Sequence, residues 1–397
     1  MPKTNQAVEQ AAKLKLYLPQ LDKLEERMLD WYERELFQAM VLKATLRGVP
    51  IFEGCYGTSA NDSGVKTDTI FPVASNTKPV IAALIMILLE DGLLELEDPI
   101  WKFQYGYYGN GWENIQLWHF LTHTSGIIDD DLDNLVADYI KDNFKIERPG
   151  ENSTDEDWDS YNSKLKQALE NLDDDFGGFK GSDWEKIALK IQLKNPPRTV
   201  MSYCNYGYNK LKEVICAVTG ESIDAYAQRV LFEPLEMADS YWVLPKEKWG
   251  RVLGRHERSS GHEWLNSEQC YTRESGAGGL KTTPNDMSNF CEMILGEGRY
   301  KGRRILSPAS IREMTRNYNA NFSNPWDAWA LGWNYRGTKV DDSGVLRSAQ
   351  SIQHGGWGGH AIMVDPNYGL SVILYASAWS NLFRWSIPNN MIIAACE

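Results

Sequence analysis

Ser75 and Lys78 are the residue pair in this chain whose spacing first indicates chemistry. They stand three positions apart within FPVASNTKPVIAALIMILLEDG, at the start of a very apolar segment. The pattern Ser-x-x-Lys occurs twice more, from Ser63 to Lys66 and from Ser163 to Lys166, among polar and charged residues. Only Ser75 follows a strand-like segment and precedes a segment, 80–89, that is apolar on all sides and predicts a buried helix. We therefore expect Ser75 at the N-terminus of a buried helix.

That position would suit a nucleophilic serine. Residues three apart share one face of a helix, so Lys78 can reach the Ser75 hydroxyl. A helix N-terminus offers free N–H groups and a partial positive charge, and both favour a developing oxyanion. A lysine beside a buried apolar helix loses part of its proton affinity and can act as a base. The alternative is that Ser75 is only an N-cap and Lys78 a surface residue, and this segment alone leaves both interpretations open.

Two later segments distinguish these interpretations. Tyr203-Cys204-Asn205 stands just before a predicted helix, and His354-Gly355-Gly356-Trp357 stands at the start of a predicted strand. Either motif alone could be structural, because tyrosines are frequent in this chain and a glycine-rich run is usually a turn. The combination of Ser-x-x-Lys, then Tyr-x-Asn, then His-Gly-Gly before a C-terminal strand is specific.

With these motifs the sequence resembles the serine β-lactamase and penicillin-recognising superfamily. It is most similar to the class C-like branch, which includes class C β-lactamases, D-alanyl-D-alanine carboxypeptidases, D-aminopeptidases and family VIII-type esterases. The resemblance extends from about residue 25 to the end and includes the segments LWHFLTHTSGI, GAGGLKTTPNDMSNF and HGGWGGH. It implies that Ser75 is the acylated nucleophile, that Lys78 and Tyr203 are its catalytic partners, and that Asn205 completes the Tyr-x-Asn motif. A cationic Lys78 beside Tyr203 would lower the pKa of the phenol, so that Tyr203 could take the serine proton.

The resemblance also implies a role for the third motif, His354 to Gly356. The N–H of Trp357 would be the second oxyanion donor, beside the N–H of the nucleophile itself. Gly355 and Gly356 would let a substrate lie against the strand because no side chain intervenes. The β-lactamases carry lysine where His354 stands, and a neutral imidazole holds a substrate carboxylate more weakly than a cation does. We therefore expect weak β-lactamase activity.

The strand and helix patterns predict an α+β fold of the β-lactamase type. Segment 21–37 is typical of an amphipathic helix, and hairpins are predicted at 47–48 and 365–369. Strands at both chain ends predict an antiparallel sheet built from the two termini and flanked by helices, in regions 20–75 and 270–397. A mainly helical region, 76–269, would form a lobe, with the active site between the two.

The helical region contains an acidic segment, 129–190. It carries 18 acidic and 8 basic residues, a net charge of −10 out of −13 for the whole chain. Its apolar residues recur at helical spacing, which predicts helical hairpins. The segment is either a solvated insertion or a lid over a cleft.

Composition limits the classes of partner and cofactor. Hydrophobic residues make up 43% and charged residues 24% of the 397 residues, which is ordinary for a soluble globular protein. A net charge of −13 argues against nucleic acid as a partner. The six cysteines and six histidines lack metal-site spacing, so we expect neither metal nor cofactor. No membrane span or export signal is apparent, and we expect a cytoplasmic location.

Three hypotheses for function follow. The first is a serine hydrolase that cleaves an ester or amide bond of a small molecule or peptide, including the β-lactamase or D-amino-acid peptidase alternatives. The second is an acyltransferase that passes the same acyl group to an alcohol or amine. The third is a non-catalytic binding module, which the intact Ser75, Lys78 and Tyr203 set argues against. The sequence leaves the substrate and the oligomeric state open.

Overall fold

The protein consists of two compact units. The first contains Met1–Gly92 and Thr219–Glu397, and the second contains Leu93–Val218. The computed structural model describes residues 13–150, 153–169, 183–259, 261–378 and 384–396.

The regions predicted from the sequence, 20–75 with 270–397 and 76–269, have bounds that differ from those of the two units. They stay a prediction of the domain organisation.

A six-stranded antiparallel sheet lies at the centre of the first unit. Its strands occur in the order β2-β1-β10-β9-β8-β7, so the first and last strands of the chain lie side by side. Two further strand pairs, β3 with β4 and β5 with β6, accompany the sheet. The strands are β1 (Phe37–Leu46), β2 (Val49–Gly57), β3 (Phe71–Pro72), β4 (Lys281–Thr282), β5 (Arg299–Tyr300), β6 (Arg303–Arg304), β7 (Asn334–Tyr335), β8 (Ile352–Gly356), β9 (His360–Asp365) and β10 (Leu370–Ala378).

The two predicted hairpins connect neighbouring strands of this sheet. Arg47 and Gly48 join β1 to β2 with φ of 51° and 77°, the left-handed conformation of a two-residue turn that matches strand twist. The segment 366–369 joins β9 to β10, and Gly369 there has a φ of 68°. Both hairpins and the α+β fold class are confirmed.

Helices cover much of the remaining chain. Within the described residues the α-helices are α1 (Leu18–Glu33), α2 (Thr77–Glu90), α3 (Leu117–Leu121), α4 (Asp129–Phe144), α5 (Asp155–Leu169), α6 (Asp183–Ala188), α7 (Asn205–Thr219), α8 (Ile223–Ala227), α9 (His262–Leu265), α10 (Glu268–Thr272), α11 (Pro284–Leu295), α12 (Pro308–Thr315) and α13 (Ser386–Ile393). None of the helices in these residues is long and apolar enough to span a membrane.

Helices α1 and α13 cover one face of the sheet. Leu21, Leu24, Met28 and Trp31 recur at helical spacing along α1 and are buried in a cluster with apolar side chains of β1 and β10. Burial of such a stripe is what stabilises an amphipathic helix in a folded protein. The helix predicted at 21–37 is confirmed, although it begins and ends three to four residues earlier.

Helix α2 is buried around its whole circumference in its first three turns. In its sequence TKPVIAALIMILLE every residue from Thr77 to Leu88 is buried. Pro79 is tolerated because it lies in the first turn, where its missing N–H would have no helical partner. The helix ends before Gly92, whose φ of 70° suits a helix terminus.

The second unit is mainly helical and includes α3 to α6 and most of α7. The acidic segment 129–190 forms α4, α5 and α6 within its described residues, as its helical spacing predicted. Residues 151–152 and 170–182 of this segment lie outside the described residues. The choice between insertion and lid stays open.

Candidate active site

Ser75 lies in a single 3-10 turn, Ala74–Asn76, between strand β3 and helix α2. Ala74 has a φ of 46°, a left-handed conformation that costs a non-glycine residue about 1–2 kcal/mol. Thr77 counteracts this strain, since its hydroxyl donates to the Ala74 carbonyl at 2.7 Å and accepts the N–H of Leu280 at 3.0 Å. The serine is therefore held at the helix N-terminus by a restrained turn.

Lys78 is fully buried one helical turn after the serine. Its Nζ donates to Ser75 Oγ at 3.0 Å and to the Ala277 carbonyl at 2.8 Å. The interpretation of Lys78 as a surface residue is wrong, because its exposure is 0%. Ser75 is not the N-cap of α2 either, since Asn76 occupies that position. The structure thus brings together a hydroxyl and a buried ammonium, the pair that nucleophilic catalysis by serine needs.

A second buried lysine fixes the loop that carries the Ala277 carbonyl. Lys281 Nζ donates to the carbonyls of Gly279 at 2.7 Å, Arg273 at 3.3 Å and Trp242. Burial lowers the pKa of Lys281 to about 8. Sequence analysis did not single out this residue, although a lysine within the segment GGLKTTP was an available signal.

His354 lies on β8 with its side chain buried. Its Nδ1 lies 2.7 Å from the Gly355 carbonyl, and because a carbonyl oxygen only accepts, Nδ1 carries a proton. Burial lowers the pKa of His354 to about 3, and the charge of Lys78 acts in the same direction. The Trp329 ring packs edge-on against it, with ring centroids 5.9 Å apart. Burial and the charge of Lys78 both favour the neutral imidazole that the sequence predicts.

The two glycines of the third motif have close neighbours within the protein. A Cβ at Gly355 would lie 2.3 Å from the Trp385 ring, and one at Gly356 would lie 2.4 Å from the Val73 carbonyl. Strand β8 can approach the segment before Ser75 only because residue 356 lacks a side chain. These packing reasons differ from the expected one, access for substrate, which stays a prediction.

Trp357, the expected oxyanion donor, follows β8 directly. Its side chain is 51% exposed, and its indole lies so close to Gly261 that a Cβ there would be 2.0 Å away. Gly358 and Gly359 follow in the turn to β9, each with a φ of 98°. We call the segment from Gly356 to His360 the β8–β9 turn.

Tyr203 and Asn205 lie in the second unit, at the start of α7. Tyr203 is 39% exposed, and its ring packs on that of His123 with centroids 4.5 Å apart. His123 also accepts the N–H of Cys204 at its Nδ1, at 3.0 Å, and has a left-handed φ of 58°. His123 therefore supports the Tyr-x-Asn motif through the Tyr203 ring and the Cys204 backbone, a role that sequence analysis did not assign.

Asp129 caps the first turn of α7. Its carboxylate accepts the N–H of Asn205 at 2.6 Å, the N–H of Tyr206 at 3.4 Å and the thiol of Cys204 at 3.0 Å. A carboxylate at a helix N-terminus satisfies otherwise unpaired N–H groups and interacts favourably with the helix dipole. Cys204, the middle residue of the motif, is buried.

The structure therefore unites Ser75, Lys78 and the third-motif strand within one unit, and Tyr203 and Asn205 within the other. The joint action of Tyr203 with Ser75 stays a prediction. No group of three or more His, Cys, Asp or Glu side chains suited to a metal occurs among the described residues.

Comparison with known proteins shows the family and the fold of this chain. A family model described as Beta-lactamase matches residues 21–387. Penicillin-binding protein 4 of Amycolatopsis lactamdurans is 26% identical over 334 residues, which cover 81% of this chain and 77% of that protein. A family VIII carboxylesterase structure matches with a TM-score of 0.70 and 17% identity, covering 95% of this chain and 97% of that one. EstCE1, described as a hydrolase with promiscuous acyltransferase activity, matches with a TM-score of 0.65 and 15% identity over the same shares.

Proposed function

This chain belongs to the beta-lactamase family, and we propose that it is a serine hydrolase that cleaves an ester or amide bond of a small molecule or peptide through an acyl-Ser75 intermediate. One observation carries the proposal: the buried ammonium of Lys78 lies 3.0 Å from Ser75 Oγ at the N-terminus of a buried helix. Neither a purely structural serine nor a binding module needs a buried charge at that place, because such a charge is costly to bury.

The proposed reaction has two steps. Ser75 Oγ attacks the substrate carbonyl, and its proton passes to a base, which is either the Tyr203 phenolate beside the Lys78 ammonium or Lys78 itself in its neutral amine form. The N–H groups of Ser75 and Trp357 hold the oxyanion, and the leaving alcohol or amine takes the proton. Water then attacks the acyl-enzyme by the reverse path and releases the acid. No cofactor takes part.

The neutral His354 bears on the substrate class. A charge-assisted contact to a substrate carboxylate contributes about 1.5–3 kcal/mol, which corresponds to about 10- to 150-fold in binding. Because the pKa of His354 is lowered to about 3, it cannot supply that contact at neutral pH. We therefore propose that uncharged esters and amides are better substrates than β-lactams or carboxylate-bearing peptides. His354→Lys should raise β-lactam turnover relative to ester turnover.

A second candidate function is acyl transfer from the same acyl-enzyme. The similarity to a hydrolase with promiscuous acyltransferase activity favours its consideration. Added alcohols or amines would compete with water for the acyl group, and product analysis would distinguish transfer from hydrolysis.

The test is covalent labelling of Ser75. A fluorophosphonate should add one label to the wild type, and Ser75→Ala should remove it and lower p-nitrophenyl ester turnover by about 10³-fold or more. Ser63→Ala and Ser163→Ala are matched controls, because each removes a serine with the same spacing to lysine. Labelling that survives in Ser75→Ala would overturn the proposal.

Lys78 and Tyr203 provide a second test. Lys78→Ala and Tyr203→Phe should each cost about 10²–10⁴-fold, and the double variant little more than the worse single one, because groups that act as a unit are not additive. Multiplication of the two losses would show that they act independently.

A further inference from the structure

Arg255 is a buried arginine in the first unit with no role in the reaction proposed above. It is 2% exposed and lies in the loop between Val252 and helix α9. Asn266 fixes its backbone, since Asn266 Oδ1 accepts its N–H and Asn266 Nδ2 donates to its carbonyl, both at 2.8 Å. Both backbone polar groups of Arg255, its N–H and its carbonyl, are therefore fixed by one side chain.

The guanidinium contacts the β8–β9 turn. Nη1 donates to the Gly358 carbonyl at 3.0 Å, and Nη2 donates to His360 Nε2 at 2.9 Å. A Cβ at Gly358 would lie 2.8 Å from Nη2, so the turn and the arginine are in direct contact. The turn also needs left-handed φ at Gly358 and Gly359. Arg255 thus contacts the turn at Gly358 and His360, while the Val73 carbonyl lies against Gly356, where the turn begins.

The charge of Arg255 is not neutralised nearby. Its partners are a carbonyl, an imidazole and the Ser377 hydroxyl at 3.5 Å, and it forms no ion pair with an Asp or Glu in the described part of the chain. Its Nε has no hydrogen-bond partner among the same residues. Burial lowers the pKa of Arg255 to about 10, so the group is still a cation at neutral pH. A buried cation without a carboxylate is costly, and a role at the turn it contacts would explain its presence.

His360, whose imidazole Arg255 contacts, also packs against the strand that precedes the nucleophile. His360 packs edge-on against Phe71 on β3, with ring centroids 5.7 Å apart. Phe71 stands four residues before Ser75. The same buried group therefore supports the turn that carries Trp357 and the strand that leads to Ser75.

We infer that Arg255 is a positioning residue that fixes the β8–β9 turn so that the N–H of Trp357 points at the developing oxyanion, and that its positive charge favours that anion. This rests on the proposed function, because it assumes an acyl transfer to Ser75. A fixed dipole aimed at the developing charge needs no reorganisation during the reaction, and this is the physical reason for holding the turn rigidly.

Arg255→Met and Arg255→Lys test the inference, with Arg347→Met as the matched control. Arg347 is an equally buried arginine of the same unit, paired with Asp341 at 2.6 Å. For Arg255→Met we expect a 10- to 100-fold lower kcat/KM for p-nitrophenyl acetate per labelled Ser75, somewhat less than the about 10²–10³-fold cost of losing an oxyanion donor itself. Arg255→Lys should recover at least half of that loss on a logarithmic scale. Arg347→Met should lose stability but keep kcat/KM.

Inhibitors separate this role from general damage. Phenylboronic acid forms a tetrahedral anion on the serine, so its inhibition constant should rise by the same factor as kcat/KM falls. Acetanilide has a planar neutral carbonyl, so its inhibition constant should stay within about twofold. Equal weakening of both inhibitors would overturn the inference, because it would indicate a damaged site.

Gly358→Ala disturbs the contact between Arg255 and the turn by changing the turn residue. It keeps the inference testable if Arg255→Met does not fold. Its Cβ would press on Arg255 and demand an unfavourable φ, so the same selective loss for phenylboronic acid is expected. Unchanged kcat/KM in folded Gly358→Ala, or in folded Arg255→Met, would overturn the inference. If the inference about Arg255 fails but Ser75→Ala still abolishes labelling in the same experiments, the proposed function stands.

Discussion

Lys78→Met should separate activity from stability. The lysine is fully buried, and its ammonium donates to Ser75 Oγ and to the Ala277 carbonyl. Methionine has a similar length and no charge, so the apolar stem of the side chain is largely kept. The substitution therefore removes the ammonium with little change in packing.

The effect on stability combines two opposing contributions. Loss of the donor leaves the Ala277 carbonyl without this hydrogen bond, which costs about 1–3 kcal/mol for a buried acceptor. Removal of the buried charge also abolishes a desolvation penalty of several kcal/mol. The two largely cancel, so the free energy of unfolding should change by no more than about 2 kcal/mol in either direction.

The effect on activity has no such compensation. Loss of the Lys78 nitrogen in contact with the nucleophile removes either the base or the charge that stabilises the Tyr203 phenolate, and should lower turnover by about 10²–10⁴-fold. This corresponds to about 2.7–5.4 kcal/mol in the activation free energy. Urea unfolding gives the stability, and p-nitrophenyl ester hydrolysis gives the turnover of the same preparation.

Lys339→Met is the matched control. Lys339 is a buried lysine of the same unit that donates to the Ala328 carbonyl at 2.8 Å and to Asn334 Oδ1 at 2.6 Å. Its loss should change stability similarly and leave turnover within a few-fold of wild type. The reasoning is refuted if Lys78→Met keeps turnover within tenfold of Lys339→Met, or if unfolding alone accounts for its inactivity.

Three further substitutions test other parts of the structure. Ala74→Gly relieves a left-handed strain of about 1–2 kcal/mol, while the entropy that the unfolded chain gains costs about 0.4–1 kcal/mol. The free energy of unfolding in urea titrations should therefore rise by up to about 1.6 kcal/mol, and a loss of stability would contradict this. Asp129→Ala should destabilise the protein by about 1–2 kcal/mol and lower turnover by loosening Tyr203, with partial recovery in Asp129→Asn; full turnover in the Ala variant would argue against that support. His354 has a pKa of about 3 when folded and about 6.5 when unfolded, so the unfolded state binds the extra proton between these values and stability falls as pH drops through them, by at most about 1.4 kcal/mol per pH unit. His354→Gln should therefore flatten the pH dependence of unfolding below pH 6.5, and an unchanged curve would show that the imidazole is not buried neutral.

Local sequence patterns determined the secondary structure and marked the motifs. The turn at Arg47 and Gly48 needs left-handed backbone within two residues, and the buried helix after Ser75 follows from a continuous apolar run. Both signals act over a few residues, so no tertiary information is needed to interpret them. The similarity to a known family then allowed the Ser-x-x-Lys, Tyr-x-Asn and His-Gly-Gly motifs to be assigned roles.

The tertiary structure alone decided how these motifs are supported. The acceptor of Lys78, the Ala277 carbonyl, lies 199 positions away, and Asp129 lies 75 positions before the thiol it accepts from. Arg255 reaches a carbonyl 103 positions further on. A backbone carbonyl is available at every residue, so residue types cannot show which one a buried cation will meet. Which carbonyl it meets depends on how distant segments pack. The same packing determines whether a lysine is a solvated surface group or a desolvated partner of a serine.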